Sequence, residues 1–324
     1  MATAYVFETI MEHQRRPHFV FVKSDFGAGS VGASLGPDAV RMASVRFQSE
    51  LFNEHPGLHL DFVDRRVRLY DDDYPFARRV EAVREVYQSV SREVSGLLNA
   101  DYFPIVVSGD HSSACATIAG LRMAKPGARI GVVWVDAHAD LHTPYTSPSG
   151  NLHGMPLACA FALGEASDAI NPVDPETAEL WKDLCRFSGF SPLFDPENLV
   201  FIALRDFEEQ ELNFIRKRGV EYFTPDEVTE KGVEAIVAAT FERLQKCDAL
   251  YVSFDIDSLD ASLVPGTGTP VSNGLTVKQA SRLLEELWRD PRLAVFEMTE
   301  INPLLDVHNQ TGEIAYKILQ YLFD

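Results

Sequence analysis

Short, nearly continuous apolar runs recur along the chain at His18 to Val22, Pro104 to Ser108, Ile130 to Asp136, Leu199 to Leu204, Ala249 to Asp255 and Leu293 to Glu297. Their β-branched and aromatic content predicts strands, and the near absence of polar alternation predicts strands buried on both faces. Helix-period segments fill the intervals: Pro37 to Phe52, Ala77 to Leu98, Ser112 to Ala124, Pro175 to Arg186, Glu208 to Lys217, Lys231 to Lys246, Val277 to Arg289 and Gly312 to Phe323. Such a chain is expected to fold as α/β, in three layers α/β/α around a central, mostly parallel sheet. Sheets of this kind bind ligands in the crevice beyond the carboxyl ends of their strands.

A length of 324 residues suits two domains or one large α/β domain. With no internal repeat and no Gly-, Ser- or Pro-rich linker, a single domain over 1–324 is expected, carrying a polar surface excursion from about Glu165 to Asn198. The formal charge of −19 repels phosphate backbones and anionic lipid, which argues against nucleic-acid and membrane partners and for a cationic ligand or metal. No apolar run approaches the roughly 18 residues of a membrane span. The N-terminal stretch has its positive charges after the apolar residues, with Glu8 and Glu12 inside it, the wrong order for a secretory signal. Cys115, Cys159, Cys185 and Cys247 are widely spaced and form no CxxC pair, so a cytoplasmic protein with reduced core thiols is expected.

Three polar clusters directly follow predicted strands: SGDHSS from Ser108, DAHAD from Asp136 and SFDIDSLD from Ser253. At strand spacing, Asp136, His138 and Asp140 would share one face, and Asp255 and Asp257 would lie side by side. A single cluster could be turn chemistry, since Asp after a strand often caps the next helix; three in concert point elsewhere. So many carboxylates in a water-poor crevice are costly unless cations neutralise them. Four Asp carry a formal −4, which two divalent ions would cancel, leaving His111 and His138 as neutral ligands. Mixed carboxylate and imidazole ligation without thiolate suits Mn²⁺, or Fe, Co or Ni, better than a structural zinc. Two ions about 3.5 to 4 Å apart can share a solvent molecule and present it as hydroxide to an electrophilic carbon, so hydrolysis is the expected reaction class. The spacing Asp255, Asp257, Asp260 lacks the Gly and terminal Glu of a calcium loop. Gly27, Gly29 and Gly32 match GxGxxG, but without a clear acidic strand end about 20 residues on, they read as a loop near the active-site mouth.

Together, SGDHS, DAHADLHTP, SGNLHG, SFDIDSLD and EINP, in order from Ser108 to Pro303, resemble the signature blocks of the ureohydrolases, the arginase and agmatinase family. The resemblance implies a three-layer α/β fold, a centre of two Mn²⁺, hydrolysis of a guanidino or amidino C–N bond, and homotrimeric or homohexameric assembly. By position it implies metal ligation by His111, Asp136, His138, Asp140, Asp255 and Asp257, with Asp140 also in the catalytic set. It implies proton transfer by His153, a guanidinium grip by Glu300, and a hydrogen bond from Thr269 near the metals. Ser149 and Asn151 are similar to the arginase residues that bind the substrate α-carboxylate, which favours L-arginine over agmatine. Two residues depart from that pattern: His142 stands where arginases have an Asn, and Glu208 where an Asp near the α-amino group is expected. Another guanidino or formimino amino acid, such as N-formimino-L-glutamate hydrolysed by a formimidoylglutamase, therefore stays open, as does an inert scaffold of the same fold. Metal-dependent deacetylation on a related fold would need fewer ligands. Arg205 and Asp206 read as a structural ion pair, with Asp206 equally a residue behind the ligands or one facing the substrate.

Overall fold

The computed structural model describes residues 16–55, 57–62, 73–164 and 168–324. Glu8, Glu12 and the start of the excursion at Glu165 lie outside the described residues. Eight strands, β1 (Arg16–Lys23), β2 (Gly57–Asp61), β3 (Tyr102–Ser108), β4 (Ile130–Val135), β5 (Leu199–Ile202), β6 (Glu221–Phe223), β7 (Ala249–Asp255) and β8 (Leu293–Thr299), form one sheet. Its order is β2-β1-β3-β8-β7-β4-β5-β6 and every pairing is parallel. The described helices are α1 (Gly36–Arg46), α2 (Leu51–Glu54), α3 (Val80–Asn99), α4 (Ala114–Ala124), α5 (Pro156–Ala160), α6 (Pro175–Leu184), α7 (Glu209–Arg218), α8 (Pro225–Lys231), α9 (Val233–Arg243), α10 (Val277–Trp288) and α11 (Gln310–Phe323).

The two faces of the sheet explain why the strands read as unbroken apolar runs. Along β4, Ile130, Val132 and Trp134 enter one core with Val90 of α3, Ile118 of α4 and Trp181 of α6. Val133 and Val135 enter the opposite core with Val40 of α1, Ile236 of α9, Leu283 of α10 and Ile318 of α11. Successive side chains point to opposite faces, and here both faces are dry, giving the three layers expected. Among the described residues no helix is long and apolar enough to cross a membrane. All four cysteines are free and buried.

The structure departs from the expected elements in two ways. The single helix expected over Pro37 to Phe52 is two, because α1 stops at Arg46 and Gln48 takes a left-handed φ of 55° before α2 begins. The edge strands β2 and β6 and the short helices α5 and α8 have no counterpart among the predicted elements. The excursion carries α6, capped by Asp174 accepting from the Thr177 backbone N–H at 2.9 Å, and a 3₁₀ turn at Pro196–Asn198.

Candidate active site

Strands β3, β8, β7 and β4 are neighbours at the centre of the sheet, and each hands the chain to one polar cluster at its carboxyl end. This adjacency brings residues more than a hundred positions apart into one group. His111 opens a 3₁₀ turn after β3, Asp136 follows β4, Asp255 ends β7, and Glu300 follows β8 with a left-handed φ of 64°. The expectation that strand alternation aligns DAHAD is not met. Strand β4 ends at Val135, the chain turns, and Asp140 reaches the cluster from a left-handed φ of 51°. Likewise Asp257 is not a strand neighbour of Asp255 but lies in the 3₁₀ turn Ile256–Ser258, its backbone N–H donating to Asp255 Oδ1 at 2.8 Å.

His111 Nδ1 lies 3.0 Å from Asp136 Oδ2, 3.2 Å from Asp140 Oδ2 and 3.1 Å from Asp255 Oδ2. The atom is buried, yet none of these approaches has hydrogen-bond geometry. His138 Nδ1 lies 3.1 Å from Asp257 Oδ2 and 3.5 Å from Asp136 Oδ1. The donors fall into two sets that could each hold a metal ion, His111 with Asp136 and Asp255, and His138 with Asp136 and Asp257. Asp136 belongs to both and offers a different oxygen to each. Its orientation is fixed by Trp134 Nε1 donating to Oδ2 at 3.0 Å and by the His138 backbone N–H donating to Oδ1 at 2.7 Å. Trp134 also stacks on the His111 ring, centroids 4.1 Å apart. Thr269 Oγ1 donates to Asp257 Oδ2 at 3.1 Å.

The electrostatics agree with a centre built around cations. Burial, then the charges of Asp257 and Asp136, push Asp255 well above the usual carboxylate range. Burial and Asp136 raise Asp140 to about 6. Burial by itself would lower the imidazoles, but the surrounding carboxylates outweigh it and raise both His111 and His138. Protons are thus retained on the oxygens and ring nitrogens that a divalent ion would satisfy in their place, and the donor set fits such ions.

Beside this cluster, Glu300 is 2 % exposed. Its Oε1 accepts from the His111 backbone N–H at 2.8 Å and pairs with His153 Nδ1 at 3.0 Å. Burial opposes both charges, but the pairing prevails: Glu300 is held below its ordinary pKa and His153 above its own. The cavity over the cluster has a volume of about 240 Å³ and is lined by His111, His138, Asp140, Asp255, Asp257 and Glu300 within, and by His142, Ser149, Asn151, His153, Glu208 and Thr269 around them. Every site residue singled out in the sequence therefore lies in or beside this cavity, Asp136 among them through its contacts with His111 and His138.

A family model for the arginase family matches residues 18–323. The chain belongs to the arginase family. It is 34 % identical over 310 residues to the arginase of Bacillus caldovelox, covering 93 % of this chain and 96 % of that one. The native structure of a Bacillus caldovelox arginase superposes with a TM-score of 0.81 at 33 % identity, over 96 % of this chain and 98 % of the other. An Entamoeba histolytica arginase in complex with L-ornithine superposes with a TM-score of 0.80 at 27 % identity, over 95 % and 98 % of the two chains.

The outer wall of the cavity joins an imidazole to two carboxylates. His142 Nε2 meets Glu208 Oε2 at 2.8 Å, and Glu211 Oε2 lies 3.5 Å away. Glu208 precedes the first residue of α7, and its backbone N–H donates to Glu211 Oε2 at 3.1 Å, so the helix start sets where this acidic wall stands. Opposite, Ser149 Oγ accepts from the Asn151 backbone N–H at 3.2 Å, and Asn151 Oδ1 accepts from Arg79 Nη2 at 3.3 Å. The glycine-rich loop closes on this wall: a Cβ on Gly29 would stand 2.8 Å from Asn151 Nδ2, and Gly27 donates its N–H to Asp110 Oδ2 at 3.0 Å. Asp110 is not among the residues that sequence reasoning picks out. Burial and the Glu300 charge raise it to about 6, and it ties the loop to the His111 turn.

Arg205 does not pair with Asp206. Its guanidinium donates to the carbonyls of Asp257 and Val271, each at 2.8 Å, and to those of Ala203, Leu259 and Ser272, each at 3.1 Å. It thereby clamps the segment that carries Asp257 and Thr269 to the end of β5, while Asp206 is exposed and 3.7 Å from His138 Nε2. The carbonyls are invisible in the sequence because main-chain acceptors carry no residue signature. Arg205→Met keeps the stem but strands these acceptors, and is expected to destabilise the fold by roughly 3 kcal/mol or more. Thermal unfolding should show a drop of several degrees; an unchanged midpoint would mean the clamp is redundant.

Proposed function

We propose that this chain hydrolyses L-arginine to L-ornithine and urea at a centre of two divalent cations, manganese being the best match to its carboxylate and imidazole donors. The observation that carries this reading is the sharing of Asp136 between two donor sets at the floor of a cavity walled by Glu300 and His153. When bound, the cation pair supplies the activation of water that hydrolysis of an unreactive guanidinium requires. Glu300, kept ionised by His153 and by the His111 backbone N–H, has Oε2 left to accept from the guanidinium N–H fork. His153, anchored through Nδ1 and raised in pKa, is suited to give a proton to the departing amine, which leaves readily only when protonated.

At the outer wall, Ser149 and Asn151 are placed to meet the α-carboxylate of an amino acid, and Glu208 its ammonium, with His142 bracing Glu208 from below. The fit of a zwitterionic end distinguishes arginine from agmatine. The similar arginases and the ornithine-bound relative support the same choice. The same reading holds the protein to be a cytoplasmic homotrimer or homohexamer. Its free buried thiols suit a reducing compartment, and Met42, Val45, Leu304 and Val307 expose apolar surface suited to a subunit interface.

The test is a product assay on manganese-loaded enzyme with L-arginine, agmatine, guanidinobutyrate and N-formimino-L-glutamate in parallel. Urea from arginine well above the other guanidino compounds is expected. Formamide from the formimino acid, or urea from agmatine alone, would overturn the substrate assignment and place specificity in His142 and Glu208.

A further inference from the structure

Arg79 immediately precedes α3 in a left-handed conformation, φ 57°, and its side chain joins two loops at the outer wall of the cavity. Its Nε donates to the Phe26 carbonyl of the glycine-rich loop. Its Nη2 donates both to the Ala28 carbonyl at 2.9 Å and to Asn151 Oδ1 at 3.3 Å. The residue before it grips the same wall: the Arg78 backbone N–H donates to the Gly150 carbonyl at 2.9 Å, and Arg78 Nε to the Ser149 carbonyl at 3.1 Å. Gly150 has a φ of 72°, and a Cβ there would stand 1.9 Å from the Pro75 carbonyl oxygen, so this close approach requires glycine. Residues 75–79 thus form a template against which Ser149, Gly150 and Asn151 are pressed.

The chemistry of the two side chains fixes how Asn151 points. A guanidinium only donates, so the Asn151 atom that meets Nη2 must be the carbonyl oxygen. Turning the amide over would set its NH₂ group against a cation. Nδ2 is therefore directed away from Arg79. Among the described residues it has no hydrogen-bond partner, and Asn151 lines the cavity. Arg79 itself does not line the cavity, but it also engages the Phe26 and Ala28 carbonyls, acceptors to which a released amide could turn.

We propose that Arg79 is a positioning residue for substrate binding: by holding Asn151 Oδ1 together with the glycine-rich loop, it presents Asn151 Nδ2 as a ready donor to the substrate carboxylate. The inference rests on the reading that Asn151 meets that carboxylate. Arg79 touches no substrate atom in this role. It removes in advance the orientational freedom that the Asn151 side chain would otherwise lose on binding, an ordering cost equivalent to roughly three- to tenfold in affinity.

The test measures kcat and KM for L-arginine on manganese-loaded wild type, R79M, N151A and the double variant. R79M keeps the stem but donates nothing, and is expected to raise KM by roughly three- to tenfold with kcat within about twofold of wild type. Glu300, His153 and the metal ligands are untouched by the change, so a loss confined to KM marks an effect on the carboxylate end. The KM of the double variant should equal that of N151A, because Arg79 acts through that one amide. Unchanged KM in R79M, a loss falling on kcat instead of KM, or increases in KM that multiply in the double variant would each overturn the proposal. Wild type that makes no urea from arginine, or N151A with an unchanged KM, would overturn the carboxylate reading and the inference with it, a failure distinct from that of Arg79 alone. If R79M does not fold, R79Q is read by the same criteria.

Discussion

Replacing Asp136 by alanine is expected to lower turnover by roughly a thousandfold or more and to leave the protein unable to hold two manganese ions. The expectation follows from geometry. Asp136 Oδ2 faces the His111 set and Oδ1 the His138 set, so one substitution removes an oxygen from both. The carboxylate is buried and oriented by Trp134 and the His138 backbone. Asp257→Ala removes a donor from one set only and should leave one ion tightly bound. Glu179→Gln is the control, since that carboxylate is exposed on α6 and lines no part of this cavity; it should change turnover little. Elemental analysis after chelation and manganese reloading, alongside kcat, measures all three. Two-ion occupancy with a near-normal rate in Asp136→Ala would end the assignment of a shared carboxylate.

The contrast between what is readable in the sequence and what is not has a physical basis in these same residues. The six inner and near-inner strands are legible because burial on both faces demands continuous apolar runs. The edge strands β2, Gly-Leu-His-Leu-Asp, and β6, Glu-Tyr-Phe, are short and partly exposed, so polar residues break the pattern. Helix α8 does leave a signal, though not an apolar period: Thr224, Pro225 and Glu227 form a capping box with proline at the first turn. The ligand types are legible because imidazoles and carboxylates gathered at strand ends must be neutralised, and a cation does this for both. Their geometry is not, since it depends on left-handed turns at Asp140 and Glu300 rather than on strand alternation. Nor are the supports. Arg205 acts on main-chain carbonyls, and Ser108 meets Glu297 across 189 residues of sequence, a juxtaposition fixed only by the order β3-β8-β7.

Metal binding should release protons and strengthen as pH rises, while the metal-free protein should lose stability over the same range. In the metal-free cluster Asp140 is raised to about 6 by burial and then by Asp136, and Asp255 lies well above the ordinary value for the same leading reason. His111 and His138 are raised against the pull of burial by their carboxylate neighbours. A group whose folded pKa exceeds its unfolded value contributes stability fully below the unfolded pKa and loses it as pH rises through the folded one. For Asp140 that loss falls between roughly 4 and 6 and is on the order of 3 kcal/mol; for the imidazoles it begins above about 6.5. Asp136, lowered by the imidazoles of His111 and His138 beside it despite burial, works in the opposite sense but is one group against several. Divalent ions remove the competition, because they need the carboxylates ionised and both Nδ1 atoms bare. Calorimetric titration of manganese near pH 7 in two buffers of different ionisation enthalpy should report up to about three protons released per chain, one each from Asp255, His111 and His138. The metal-free unfolding midpoint should fall between pH 6 and 9 while that of the loaded protein holds. A metal-free midpoint that climbs over this interval, with no proton release on binding, would mean that the cluster is already ionised and that the six residues are held together by something other than the need for a cation.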